Sequence, residues 1–128
     1  MANELILIVD DDEWNHKLMR DLLEFMGYRI LVAMTGEDGV ALAAEHQPDL
    51  VLMDYLLPGI DGIEALRRLR DNPATAAIPV VAITASAMPE QARRMREAGF
   101  DDVRSKPINV SEFMKGIPGM ISGKAREI

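Results

Sequence analysis

The residues able to do chemistry in this chain sit where its short apolar runs end. Leu5 to Val9 is followed by Asp10, Asp11 and Asp12; Leu50 to Met53 by Asp54; Val80 to Ile83 by Thr84; and a more polar run, Asp101 to Ser105, by Lys106 and Pro107. Clustered carboxylates with no histidine or thiol beside them are hard oxygen ligands, suited to Mg²⁺ or Mn²⁺ and poorly to zinc or copper. A cation held this way relieves the repulsion among the carboxylates. It also keeps water positions open, and a phosphoryl oxygen can enter there. A carboxylate in such a cluster can attack phosphorus and carry the group as an acyl phosphate. Metal, ammonium and hydroxyl would then share the charge of the three equatorial oxygens.

These residues need a scaffold that brings strand ends together. The apolar runs, with Ile30 to Ala33 among them, are too short for helices and rich in branched side chains, so they read as buried strands. Between and after them, apolar residues recur at spacings of three and four: Leu18, Leu22, Phe25 and Met26; Ile63, Leu66 and Leu69; Ala92 and Met95. Those spacings predict amphipathic helices. Thr35 before Asp38 and Asn109 before Glu112 are N-cap signals, and Gly27 and Gly99 stand where left-handed caps are wanted. The polar composition of Asp101 to Ser105 predicts an edge strand. Five strand-then-helix units with continuous apolar strands predict a doubly wound α/β domain, its parallel sheet covered on both faces. Such sheets bind ligands at the carboxyl ends of their strands, where the acids, the hydroxyl and the ammonium fall. No low-complexity tract, repeat or linker interrupts residues 1–128, which are expected to form one domain without room for an output domain.

Composition narrows the classes further. The chain has 128 residues, 21 acidic and 14 basic side chains, a net charge of −7 and no cysteine. Disulfides, thiolate zinc sites and cysteine nucleophiles are thereby excluded, and a reducing compartment, the cytoplasm, is expected. No apolar run approaches the roughly 20 residues of a spanning helix, and Met1 to Glu4 offers no basic leader, so neither membrane insertion nor secretion is expected. The charge opposes binding to phosphate backbones, and Arg67, Arg68 and Arg70 are balanced by Glu64 and Asp71, so no direct contact with nucleic acid is expected. Asp12 reads as a carboxylate complementing a helix N-terminus. His16 and His46 read as ordinary surface residues rather than phosphocarriers. Trp14 is either an exposed anchor for a partner or half-buried packing. Met19, Met26 and Met53 fall in core patterns, and Arg93, Arg94 and Arg96 on a solvated helix face.

The motifs ILIVDDD (Ile6 to Asp12), LVLMDYLLPGIDG (Leu50 to Gly62), VVAITAS (Val80 to Ser86) and AGFDDVRSKP (Ala98 to Pro107) occur in order at strand ends. With them the sequence resembles response-regulator receiver domains of the stand-alone, chemotaxis and cell-cycle type, over essentially its whole length. The resemblance implies a flavodoxin-like (βα)5 fold with strand order 2-1-3-4-5. It implies Asp54 as phosphoacceptor and Asp10 and Asp11 as the acidic pair, Asp11 being the more direct Mg²⁺ ligand. Asp54 and the backbone carbonyl of Leu56 complete the metal set, with Mn²⁺ as an alternative ion. Thr84 resembles the family's switch hydroxyl, Ala85 the small residue that leaves it space, and Lys106 the cation that pairs with the phosphoryl group. The Lys106–Pro107 bond is expected to be cis.

The implied function is that of a two-component or phosphorelay response regulator. It accepts a phosphoryl group from the phosphohistidine of a histidine kinase or histidine phosphotransfer protein docked near the acidic pocket and first helix. It then switches a surface built from helix 4, strand 5 and helix 5. Such a domain is not an enzyme, although it assists its own phosphorylation and dephosphorylation. ITASAM (Ile83 to Met88) and SKPI (Ser105 to Ile108) resemble stand-alone and hybrid-kinase receivers, which favours a phosphorelay. Three departures from the family pattern stand out. Val103 replaces an aromatic common three residues before the lysine. Leu56 and Ser86 occupy positions that tune hydrolysis. Gly116, Pro118 and Gly119 interrupt the last helix, which is therefore expected to be short or kinked. Two other readings exist: a haloacid-dehalogenase-like phosphohydrolase with Asp10 as nucleophile, and a pseudo-receiver that binds partners without accepting phosphate. The first is opposed by Asp101 and Asp102 preceding Lys106 rather than following it, and the second by the completeness of the site.

Overall fold

The computed structural model describes residues 4–85 and 88–121, along which strands and helices alternate. In chain order these are β1 (Leu5–Val9), α1 (Glu13–Phe25), β2 (Arg29–Ala33), α2 (Gly36–His46), β3 (Leu50–Asp54), α3 (Gly62–Asp71), β4 (Val80–Thr84), α4 (Pro89–Ala98), β5 (Asp102–Ser105) and α5 (Val110–Ile121). All strand pairs are parallel, and the sheet order is β2-β1-β3-β4-β5, as expected for a doubly wound sheet. The register sets Val9 beside Met53 and Asp54 beside Ile83, so Asp10 and Asp54 leave adjacent strands at the same edge.

Alternation along each strand divides the core in two. Leu7, Val9, Val51, Met53, Val80, Ala82 and Val103 pack on one face with Ala65, Leu66 and Leu69 of α3 and Ala92 and Met95 of α4. Ile6, Ile8, Leu50, Leu52, Val81 and Ile83 pack on the other with Met19 and Leu23 of α1 and Phe113, Ile117 and Met120 of α5. α2 approaches the first face closely: a Cβ on Gly39 would lie 2.8 Å from Val9 Cγ2.

The caps form as the spacing predicted. Thr35 Oγ1 accepts the Asp38 N–H at 3.1 Å and Asn109 Oδ1 that of Glu112 at 3.0 Å. Gly27 and Gly99 take φ of 97° and 118°. Arg70, near the end of α3, donates to the carbonyls of Ala76, Ile78 and Gly99 and to Asp101 Oδ2 at 2.9 Å. Asp101 Oδ2 also accepts the Val80 N–H at 2.7 Å, so one guanidinium ties α3, the start of β4 and the turn before β5. β5 begins at Asp102 rather than Asp101.

Two expectations change. In α1 the core face is Met19, Leu22, Leu23 and Met26, while Leu18 and Phe25 point outward, Phe25 at 85% exposure. A spacing of three and four fits two adjoining stripes, and only the position of the sheet chooses between them. Of the two alternatives for the last helix, short or kinked, the first falls: α5 runs for 12 residues through Pro118. Pro118 is exposed while Phe113, Ile117 and Met120 are buried, so the apolar face carries the helix past the missing donor to the Met114 carbonyl.

Candidate functional site

At the carboxyl edge of the sheet, oxygens of Asp10, Asp11 and Asp54 lie within 4.8 Å of one another. Asp10 is fully buried and Asp54 nearly so, whereas Asp11 is exposed and opens the group to solvent. Asp10 Oδ1 accepts the Asp12 N–H at 2.8 Å, and Oδ2 faces Asn15 Nδ2 at 3.3 Å and Lys106 Nζ at 3.5 Å. Asp54 Oδ1 accepts the Leu56 N–H at 3.2 Å, and its Oδ2 accepts from Lys106 Nζ at 2.9 Å. Three close carboxylates, one of them open to water, fit a hard divalent cation; a single ammonium leaves their charge only partly balanced.

Backbone pairing positions the two remaining groups. The Lys106 N–H donates to the Thr84 carbonyl at 2.7 Å, and the Lys106–Pro107 peptide is cis, as expected. Thr84 is buried beside Ser105 in the β4–β5 register. Burial pushes the Asp10 carboxyl above the usual aspartate range, against the opposing pull of the Asp12 N–H and the Lys106 charge. For Lys106, burial works against the ammonium, yet the hydrogen bond to Asp54 and the charge of Asp10 prevail and raise it, so it stays protonated.

The expected residues Asp10, Asp11, Asp54 and Lys106 therefore meet in one cluster. Thr84 lies at the end of the adjacent strand, lining a cleft of about 320 Å³ with Tyr55, Leu56, Ala85, Gln91, Arg94 and Met95. The Tyr55 ring stands edge-on to Phe100 at 6.5 Å, and Val103 is buried against the same core. Asp12 caps α1, accepting the N–H groups of Trp14 and Asn15, as its reading as a helix-terminal carboxylate requires. Trp14 resolves to the exposed alternative, at 76%. Arg93, Arg94 and Arg96 are exposed, with Arg94 on Glu90 and Arg96 on Asp102. His46 is exposed, but His16 is not an ordinary surface residue. Both of its ring nitrogens are shut off from solvent, and among the described residues neither has a hydrogen-bond partner. Its place three residues before Met19 sets it on the flank of the buried face. Asn15 was not singled out by sequence; its signal is a side-chain amide three residues after the cap. Ser86 lies outside the described residues.

A family model described as the response regulator receiver domain matches residues 6–117. The chain belongs to that family. Over 112 residues, 88% of this receiver and 91% of the relative, it is 43% identical to the polar-differentiation response regulator DivK of Brucella ovis, and equally to that of Brucella abortus. Among solved structures it is similar to the receiver domain of a sensor histidine kinase from Pseudomonas aeruginosa, which holds a magnesium ion in its active-site cleft. That likeness has 30% identity and a TM-score of 0.86, covering 94% of this chain and 99% of the other. A response regulator from Chloroflexus aurantiacus is likewise 30% identical, with a TM-score of 0.88 and coverage of 94% and 98%. This receiver domain is thus a two-component signalling module of the DivK-like kind, and neither the phosphohydrolase nor the pseudo-receiver reading finds support. Among the described residues no helix is long and apolar enough to cross a membrane.

Proposed function

We propose that this receiver takes a phosphoryl group from a phosphohistidine onto Asp54. The observation that carries the reading is Lys106 Nζ seated on Asp54 Oδ2 while the oxygens of Asp10, Asp11 and Asp54 gather within 4.8 Å. An oxygen of Asp54 attacks phosphorus, the O–P bond forms, the N–P bond of the donor breaks, and the imidazole leaves and takes up a proton. Asp10, Asp11, Asp54 and the Leu56 carbonyl would hold Mg²⁺, or Mn²⁺ in its place. The ion when bound supplies positive charge to the transferring oxygens. Lys106 places a second positive charge beside the acceptor, and the Thr84 hydroxyl serves as the group that turns to the phosphoryl oxygens afterwards. Those contacts exist in only one of two states, so they bias the surface of α4, β5 and α5. The same groups assist the later hydrolysis of the acyl phosphate.

The donor is a histidine kinase or histidine phosphotransfer protein docking over the pocket and α1. That position is supported by the outward stripe of Trp14, Leu18 and Phe25, which starts at the pocket rim. Residues 1–128 act as a single receiver domain in the cytoplasm, without direct contact to nucleic acid. Incubation with Mg²⁺ and a small acyl phosphate, followed by mass mapping, tests the reading. One phosphoryl group is expected on Asp54 in the wild type and none in Asp54→Asn. Undiminished labelling of Asp54→Asn, or label on Asp10, would reject it.

A further inference from the structure

The first turn of α1 reaches back to the strand end that precedes it. Asp12 holds the N–H groups of Trp14 at 3.0 Å and Asn15 at 3.3 Å, and gives its own N–H to Asp10 Oδ1. The cap thereby seats Asn15 with its Nδ2 at 3.3 Å from Asp10 Oδ2. Asp10 is fully buried, so the protein donors around its carboxylate bear on how its plane is set. One is a backbone N–H; another, Lys106, is 3.5 Å away and sits closer to Asp54, at 2.9 Å. Asn15 is the side-chain donor directed to Asp10.

We propose that Asn15 is a positioning residue for the acidic group. Its amide fixes the rotation of the Asp10 side chain and so keeps the remaining lone pairs turned toward the space shared with Asp11 and Asp54. An amide suits this task because it donates without adding charge, and so does not compete with a divalent cation as a second lysine would. The inference rests on the metal-assisted reading above. Groups that orient a metal-binding carboxylate from behind are typically worth about 10-fold to 100-fold in metal affinity. At 3.3 Å the contact is long for such a bond, so the low end, about tenfold, is expected.

A role only in building α1 forecasts unchanged Mg²⁺ affinity and no loss of melting temperature, since alanine is the better helix former. The test is calorimetric Mg²⁺ titration of the wild type, Asn15→Ala, Asp10→Asn and the double variant, with thermal melts of each. Asn15→Ala is expected to weaken Mg²⁺ binding about tenfold without lowering the melting temperature. In the Asp10→Asn background the same substitution is expected to change nothing. The Asn15 side-chain amide resonance in NMR spectra of the metal-free protein is expected to shift in Asp10→Asn. Wild-type affinity in Asn15→Ala, an equal loss in both backgrounds, or an amide resonance indifferent to Asp10 would overturn the proposal. A wild type that does not bind Mg²⁺, with the amide still reporting Asp10, would instead remove the metal reading beneath it.

Discussion

Among the described residues Lys106 is the cation that bridges the buried Asp10 and Asp54, and its removal separates two effects that are easily confused. Lys106→Met leaves Asp10 and Asp54 facing each other without compensation, so the metal-free protein is expected to lose roughly 2 kcal/mol, less than a fully buried pair would. The same change removes a competitor for the carboxylates, so Mg²⁺ affinity is expected to rise while phosphoryl incorporation falls. Denaturant melts and metal titration check the two directions independently. Asp10, Asp11, Asp54, Thr84 and Lys106 were legible because the residue that ends an apolar run is a one-dimensional fact. Asn15 and His16 were not, because their significance lies in where a helix places a side chain after its cap. An amide near a helix start reads as an ordinary first-turn residue until the acid it touches is in view.

At the level of single elements, sequence located the described strands and helices, placing the start of β5 one residue early, and erred over which stripe of α1 meets the sheet; of the two alternatives for α5, short or kinked, the first is excluded. Periodicity reports that a helix has an apolar face. Leu18 and Phe25 are outside and Met19 and Leu23 inside because contact with Ile6 and Ile8 selects among adjoining stripes. Pro118→Ala is expected to stabilise the protein by about 1 kcal/mol, since it restores a donor on an exposed turn, and thermal unfolding measures it. Gly62→Ala has the opposite sign: a Cβ there would lie 2.9 Å from the Tyr55 carbonyl, a backbone atom that cannot yield without moving the segment after Asp54. A loss of roughly 1–3 kcal/mol with slower phosphorylation is expected. On α3, hydrogen bonds from Arg67 and then Arg68 hold Glu64 down to about 2 from its ordinary 4.5. Because the folded value is the lower one, the associated stability is present above 4.5 and is lost as pH falls toward 2. Glu64→Gln is expected to flatten that part of the acid-unfolding curve, and added salt to shrink the difference, since the groups are on the surface.

For the whole molecule, a net charge of −7 and a three-carboxylate edge make divalent cation and stability a linked pair. Mg²⁺ at about 100 times its dissociation constant is expected to add about 2.7 kcal/mol, or roughly 10 °C in melting temperature for a chain of this size. A chelator should reverse the gain, and Asp11→Asn should abolish it; calorimetry with and without metal decides. The Arg70 clamp gives the sheet a further property. Because Asp101 grips the amide of Val80, the entry of β4 is anchored, whereas its exit at Thr84 borders an open cleft. A displacement begun at the hydroxyl therefore has only five residues in which to die away before it meets a fixed point. Under the proposed function, a strand held at its root and bordered by a cleft at its other end would pass such a movement outward to α4, and loosening the root at Arg70 would let it leak into the interior instead.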